Sequence, residues 1–173
     1  MPKFPQTRLL FTDTDSLAYA VDGVDVHAEL AGEIGEHFDF SEYPANHPLQ
    51  SNINMKVVGK FKDELCGQLM EKFVGLRPKL YSFTYTNNGQ IIEKNTAKGV
   101  KKAVKDRHLK FDDYERCLRE LQSKQVTMKY IRSDHHNVFS YQTNKIGLSM
   151  FDDKRWICDN GIETLAHGHY KTR

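Results

Sequence analysis

Cysteine is scarce in this 173-residue chain: only Cys66, Cys117 and Cys158 occur, far apart and odd in number. Without any Cys-x-x-Cys spacing, neither a disulfide framework nor a cysteine-based zinc site follows. No apolar run is long enough to cross a bilayer, and no charged-then-apolar leader opens the chain. The expectation is therefore a soluble, intracellular protein with no membrane partner. A dominant charge is missing too, since 25 basic and 23 acidic residues leave a net +2. That sum is too small to establish nucleic-acid binding. Internal repeats and low-complexity segments are absent. With 39% hydrophobic residues, the length suits one domain with a modest core, or a core domain with an appendage.

What is present is concentrated in residues 9–21, Leu-Leu-Phe-Thr-Asp-Thr-Asp-Ser-Leu-Ala-Tyr-Ala-Val. Residues 9–12 and 17–21 are rich in apolar and aromatic side chains, and residues 13–16 form a polar tetrad that favours reversal, so the segment reads as a β-hairpin. Asp13 and Asp15 then lie at its bend. On extended backbone, residues two apart project to one side, which would bring both carboxylates to one point. Two adjacent anions repel unless a cation joins them, and magnesium fits: it is hard and oxygen-seeking, usually held by one or two carboxylates plus substrate phosphates. Most Asp-x-Asp turns merely cap a reversal or face solvent. An EF-hand loop would need Asp or Asn at Leu17 followed by Gly, and neither occurs. A phosphatase-type aspartate nucleophile would need a doubly wound fold, and no βαβ alternation supports one.

Charge is distributed more tellingly than it sums. Lys94, Lys98, Lys101, Lys102, Lys105, Arg107 and Lys110 crowd one stretch, interrupted by Asp106 alone, and predict a basic strip able to meet phosphates. His135-His136 and His167-Gly168-His169 lack a matching cysteine or carboxylate pattern, so solvated or internally satisfied histidines are expected. The Asp152-Asp153-Lys154-Arg155 run reads as a solvated cluster of opposite charges.

The secondary-structure pattern is α+β. A helix is expected over 24–38, capped by Asp22 or Asp25 and weakened by Gly32 and Gly35, with a flexible surface loop over 41–54. Strands are expected over 56–63 and 72–74, then a hairpin of 79–86 with 90–93 around Asn87-Asn88-Gly89. These would extend one antiparallel sheet with the first hairpin. Phe111, Tyr114, Leu118 and Leu121 mark the apolar face of a three-turn helix, and short strands follow at 126–131, 138–142 and 146–150.

Phe11-x-Asp13-Thr14-Asp15-Ser16 resembles the Tyr-x-Asp-Thr-Asp-Ser motif of family B DNA polymerases, with Phe in place of Tyr. Downstream, Gly75-Leu76-Arg77-Pro78-Lys79-Leu80-Tyr81-Ser82 resembles the Lys-x-Tyr motif of the protein-primed branch. Lys98-Gly99-Val100-Lys101-Lys102 resembles the segment leading from palm to thumb. Residues 144–149, 152–155 and 164–170 resemble the C-terminal end of polymerases carried by Maverick or Polinton transposons and related viruses. Order and spacing agree over nearly the whole chain.

The resemblance implies a palm-type antiparallel sheet with packing helices over 1–102, and a thumb-like subdomain of helix plus strands over 103–173. It implies two-metal transfer of deoxynucleotides to a primer 3′ end with magnesium, or manganese in its place. Asp13 and Asp15 would be the catalytic and metal-holding carboxylates, Asp15 foremost. Lys79, Tyr81, Lys98, Lys101 and Lys102 would contact DNA. The implied partners are primer-template DNA, deoxynucleoside triphosphates and a terminal protein primer. The family's first metal motif, its nucleotide-binding fingers helix and its exonuclease have no counterpart before residue 9, so the chain is expected to be inactive alone. The alternative is a DNA-binding remnant in which the basic strip acts without catalysis.

Overall fold

Apolar flanks around a polar reversal do fold as a hairpin. The computed structural model describes residues 7–32, 35–151, 155–161, 163–166 and 168–172. In it β1 (Thr7–Asp13) pairs antiparallel with β2 (Ser16–Val21), with a bulge between Leu9 and Phe11. Helix α1 (Val26–Ala31) follows, its Asp25 carboxylate accepting the His27 and Ala28 amides. This is the expected cap on a much shorter helix, which ends at Gly32. Next come the two-residue strands β3 (Phe38–Asp39) and β4 (Phe61–Lys62), paired in parallel.

The expected strand over 56–63 is thus reduced to β4. Left-handed backbone at Lys56 (φ 60°) and Gly59 (φ 86°) breaks the extended run. Between β3 and β4 the chain is irregular yet packed, which corrects the expectation of a flexible loop. Phe40, Tyr43 and Leu49 are buried there, with Leu30 and Phe38 against them. Two aspartates organise the backbone. Asp39 accepts the amides of Ser41 and Lys56, and bonds from the Ser41 hydroxyl and amide hold its carboxyl below the ordinary range. Asp63 accepts the Tyr43 hydroxyl at 2.7 Å and the amides of Leu65 and Gly67.

A three-stranded sheet follows in the order β5 (Met70–Arg77), β6 (Leu80–Asn87), β7 (Gln90–Ala97). Asn88 (φ 50°) and Gly89 (φ 75°) turn β6 into β7, the left-handed pair that an Asn-Gly loop accommodates. The β1–β2 ladder and this sheet are hydrogen-bonded separately, so the expected single sheet is not formed by the described strands. Helix α2 (Lys102–His108) lies within the basic strip, where no helix was expected. With only Ala103 and Val104 apolar, it shows no amphipathic period.

Helix α3 (Phe111–Glu120) is the predicted one, but it buries Phe111, Tyr114 and Cys117 and leaves Leu118 and Leu121 exposed. Leu121, at φ 56°, ends it in a left-handed cap. Instead of short runs, β8 (Lys124–Asp134) and β9 (Asn137–Leu148) form one long antiparallel hairpin. The pair β10 (Arg155–Ile157) and β11 (Thr164–Ala166) and a 3₁₀ turn at Tyr170–Thr172 complete the chain.

The architecture is α+β, with mainly antiparallel sheets and few helices. Its contacts divide it into two compact units, one of residues 1–73 and 83–93, the other of 74–82 and 94–173. The units interleave in sequence, so no single position separates them. The second holds the larger core, in which Leu109, Tyr114, Met128 and Leu148 are wholly buried with Val74, Leu80 and Ala97. Buried polar groups there are paired. Ser82 donates to Asn95, Asn95 donates to the Leu109 carbonyl, and Tyr114 donates to the Thr96 carbonyl. Among the described residues no helix is long and apolar enough to cross a membrane.

Candidate functional site

The carboxylate turn is tighter than the sequence suggests. Asp13 still belongs to β1 and pairs with Ser16 of β2, leaving Thr14 and Asp15 as a two-residue loop. Thr14 is left-handed at φ 58°. The sequence predicts that side-chain alternation along extended backbone sets the relation of Asp13 to Asp15; the turn sets it instead. A β-branched residue is the least suited to this conformation, since Cβ crowds the backbone there. Such strain persists where surrounding contacts impose it, and it concentrates at functional turns.

Those contacts are visible on both sides of the loop. The Thr14 hydroxyl donates to Asp13 Oδ1 at 3.3 Å, and the Ser16 hydroxyl donates to Glu64 Oε1 at 3.0 Å. Glu64 also borders an open cleft of about 270 Å³, together with Glu42, Tyr85 and Asn87. Glu64 was not singled out by its sequence. Its pairing with Ser16, across 48 positions, brings it to the turn. Upstream, Phe11 stacks on Phe73 of β5, ring centres 5.4 Å apart and planes within 11°. The bulge at the preceding position shifts the register and re-aims this side of β1. A Tyr at position 11 would keep the same ring and add a hydroxyl.

Two carboxylates at one turn form a hard oxygen donor set suited to magnesium completed by substrate phosphates. Among the described residues, no three His, Cys, Asp or Glu side chains group closely enough to hold a metal ion by themselves. His135 and His136 are the central residues of the β8–β9 turn, at φ 44° and 67°, with the side chain of His135 almost fully exposed. His169 accepts the Lys171 amide. Arg155 donates to the Thr164 hydroxyl and carbonyl across β10–β11, while Asp152, Asp153, Lys154 and His167 lie outside the described residues.

In the second unit the predicted DNA-contacting residues gather from separate segments. Lys79 was expected on a strand but occupies the turn between β5 and β6. Pro78 fixes the first turn position and Lys79 takes the left-handed second, φ 59°. Tyr81 lies two residues further on, in β6. The Lys98 amide donates to the Lys79 carbonyl at 3.1 Å, stapling the end of β7 to this turn. Gly99 (φ 88°) then redirects the chain, and a Cβ there would stand 2.7 Å from the Lys145 ammonium. Lys145 donates to the Gly99 carbonyl.

Lys101 precedes α2 and bonds the Lys129 carbonyl, while its amide donates to Met128 Sδ. Its ammonium also lies 4.2 Å from the centre of the Tyr130 ring, a cation–π contact. Lys102 opens α2 and is exposed, as is Lys98. Lys129 and Lys145 were missed from the sequence because each lies well outside the basic run of residues 94–110, Lys129 between Met128 and Tyr130 and Lys145 between Asn144 and Ile146. The β8–β9 hairpin brings the Lys145 ammonium and the Lys129 carbonyl to the strip. Compared with known proteins, the chain finds no match among family models, curated proteins or solved structures.

Proposed function

We propose that this chain is part of a DNA-directed DNA polymerase of the protein-primed family B type, supplying the second carboxylate motif and contacts to the primer strand. The observation that carries the reading is the Asp13-Thr14-Asp15 turn, a hairpin tip that holds a β-branched residue at φ 58° between two carboxylates. A reversal serving only as a connection gains nothing from Thr at that position, whereas a turn that must present both carboxylates can bear the strain.

In the reaction, a primer 3′ hydroxyl attacks the α-phosphorus of a deoxynucleoside triphosphate. One phosphodiester bond forms, the hydroxyl proton is lost and pyrophosphate leaves. Asp13 and Asp15 are the residues that would hold magnesium, which when bound stabilises charge on the attacking and leaving oxygens. Lys79, Lys98 and Lys102 offer point charges to primer phosphates, and Tyr81 contributes a ring and a hydroxyl donor. Two carboxylates by themselves leave the triphosphate unoriented for in-line attack, so the chain by itself is expected to extend no primer.

The competing reading, a DNA-binding module without catalysis, is favoured by one feature. All the DNA-contacting candidates fall in the second unit, which has its own core, whereas Asp13 and Asp15 belong to the first. Binding of a labelled primer-template duplex across a salt series, with and without magnesium, separates the two. For the polymerase reading, binding is salt-sensitive, weakened by Lys79→Ala with Tyr81→Ala, and altered by magnesium only while Asp13 and Asp15 are intact. Magnesium-blind binding leaves the module; no binding at low salt removes both.

A further inference from the structure

The β8–β9 hairpin extends well beyond the core it helps to build. Val126 and Met128 are buried at its base, but every residue from Ile131 to Gln142 is exposed. Antiparallel register sorts its side chains by face, because directly opposed residues project to the same side. Tyr130 opposes Tyr141 and Arg132 opposes Phe139, continuing the face that Met128 and Val126 bury below. Tyr130 and Tyr141 stack with centres 5.5 Å apart and planes 22° from parallel, and the Phe139 ring is 6.5 Å from that of Tyr141. Lys101 covers Tyr130 from the side of α2. The result is a row of rings, half exposed at Tyr141 and Phe139, with a cation at each end.

Charge indicates the kind of partner. On the face of the rings the register places Arg132 and Lys145, with Lys101 beside Tyr130, against Asp134 alone. An apolar protein ligand would not need the cations, and a duplex would not need the rings, since its base faces are already occupied by neighbouring bases. Rings beside cations suit unpaired nucleotides, whose bases stack on aromatic side chains while phosphates meet Lys and Arg.

The geometry points to this face of the β8–β9 arm as a stacking platform for single-stranded nucleic acid, with Tyr141 and Phe139 receiving bases and Lys101 and Arg132 neutralising the flanking phosphates. It rests on the nucleic-acid part of the reading above and is independent of the carboxylate turn. The strand served is an unpaired segment, distinct from the duplex proposed to run past Lys79 and Lys98.

The test is fluorescence anisotropy of the whole chain with a labelled oligodeoxythymidine of about 12 nucleotides, and with a duplex of equal length. Phe139→Ala with Tyr141→Ala should weaken single-strand binding by at least about tenfold and leave duplex binding unchanged. Phe139→Tyr with Tyr141→Phe, which keeps both rings, should restore it. Both positions are exposed, so an unchanged thermal midpoint shows that the fold survives. Equal single-strand affinity for the native chain and the alanine variant overturns the platform. So does self-association through the arm without nucleic-acid binding, which assigns the rings to a protein partner. Duplex binding that depends on Lys79, without any single-strand binding, overturns the platform and leaves the polymerase reading standing. Absence of both overturns both.

Discussion

Thr14 concentrates the local chemistry of the carboxylate turn in one backbone angle. At φ 58° its Cβ crowds the following carbonyl, and such strain costs about 1–3 kcal/mol. Glycine relieves it but makes the unfolded chain more flexible, which returns part of the gain. Thr14→Gly is therefore expected to stabilise the protein by about 1 kcal/mol and raise the thermal midpoint by a few degrees. It should also loosen the relation of Asp13 to Asp15, because the bond from the Thr14 hydroxyl to Asp13 is lost. A fall in midpoint, measured by circular dichroism, would mean that the turn is unstrained and that its threonine needs no functional explanation.

At the scale of elements, Asp113 shows how a charge can fix a helix. Burial pushes its carboxyl up. Hydrogen bonds from Lys124 at 2.7 Å and from the Lys110 amide, with the nearby charges of Lys124 and Arg116, outweigh that, so it ionises below the ordinary range. A depressed carboxyl stabilises the fold above its unfolded value, about 3.9, and that contribution fades as pH falls through the folded value. Asp113→Asn should cost about 1–2 kcal/mol at pH 7, and the gap to the native chain should narrow as pH falls below about 3.9 toward the folded value. Urea unfolding across an acid pH series measures it, and a gap that shows no decline as pH falls below about 3.9 would rule out the ion pair as its source. This helix was legible because Phe111 and Tyr114 keep a helical period with acids in the first turn. Its true third contact, Cys117, was hidden because Leu118 is the more apolar neighbour in sequence. The β8–β9 hairpin was read as fragments because the polar residues between its apolar runs are paired across strands, and pairing over long range leaves no local period. The two-residue turns at Asn88-Gly89 and Thr14-Asp15 were legible as reversals, whereas the left-handed angle at Thr14 was not, since nothing about a threonine announces it.

For the whole molecule, the decisive property is that the candidate chemistry is divided between two units. Asp13, Asp15 and their neighbour Glu64 fall in one, and the lysines in the other, so the two sets of substitutions should act on different observables. Each lysine that neutralises a phosphate adds about 0.9 to the dependence of log affinity on log salt, because counterions leave the DNA. Lys79→Ala, Lys98→Ala and Lys102→Ala together should reduce the slope for primer-template duplex by about 3 without a change in magnesium response. Asp13→Asn with Asp15→Asn should do the reverse, leaving the slope intact and abolishing the response to magnesium. The side chains replaced lie outside the buried clusters of both units, so both variants should keep the native thermal midpoint. A slope unchanged by the triple variant would displace the duplex from the β5–β6 turn. A magnesium response that survives the double variant would locate the ion elsewhere and remove the carboxylate turn from the proposed chemistry.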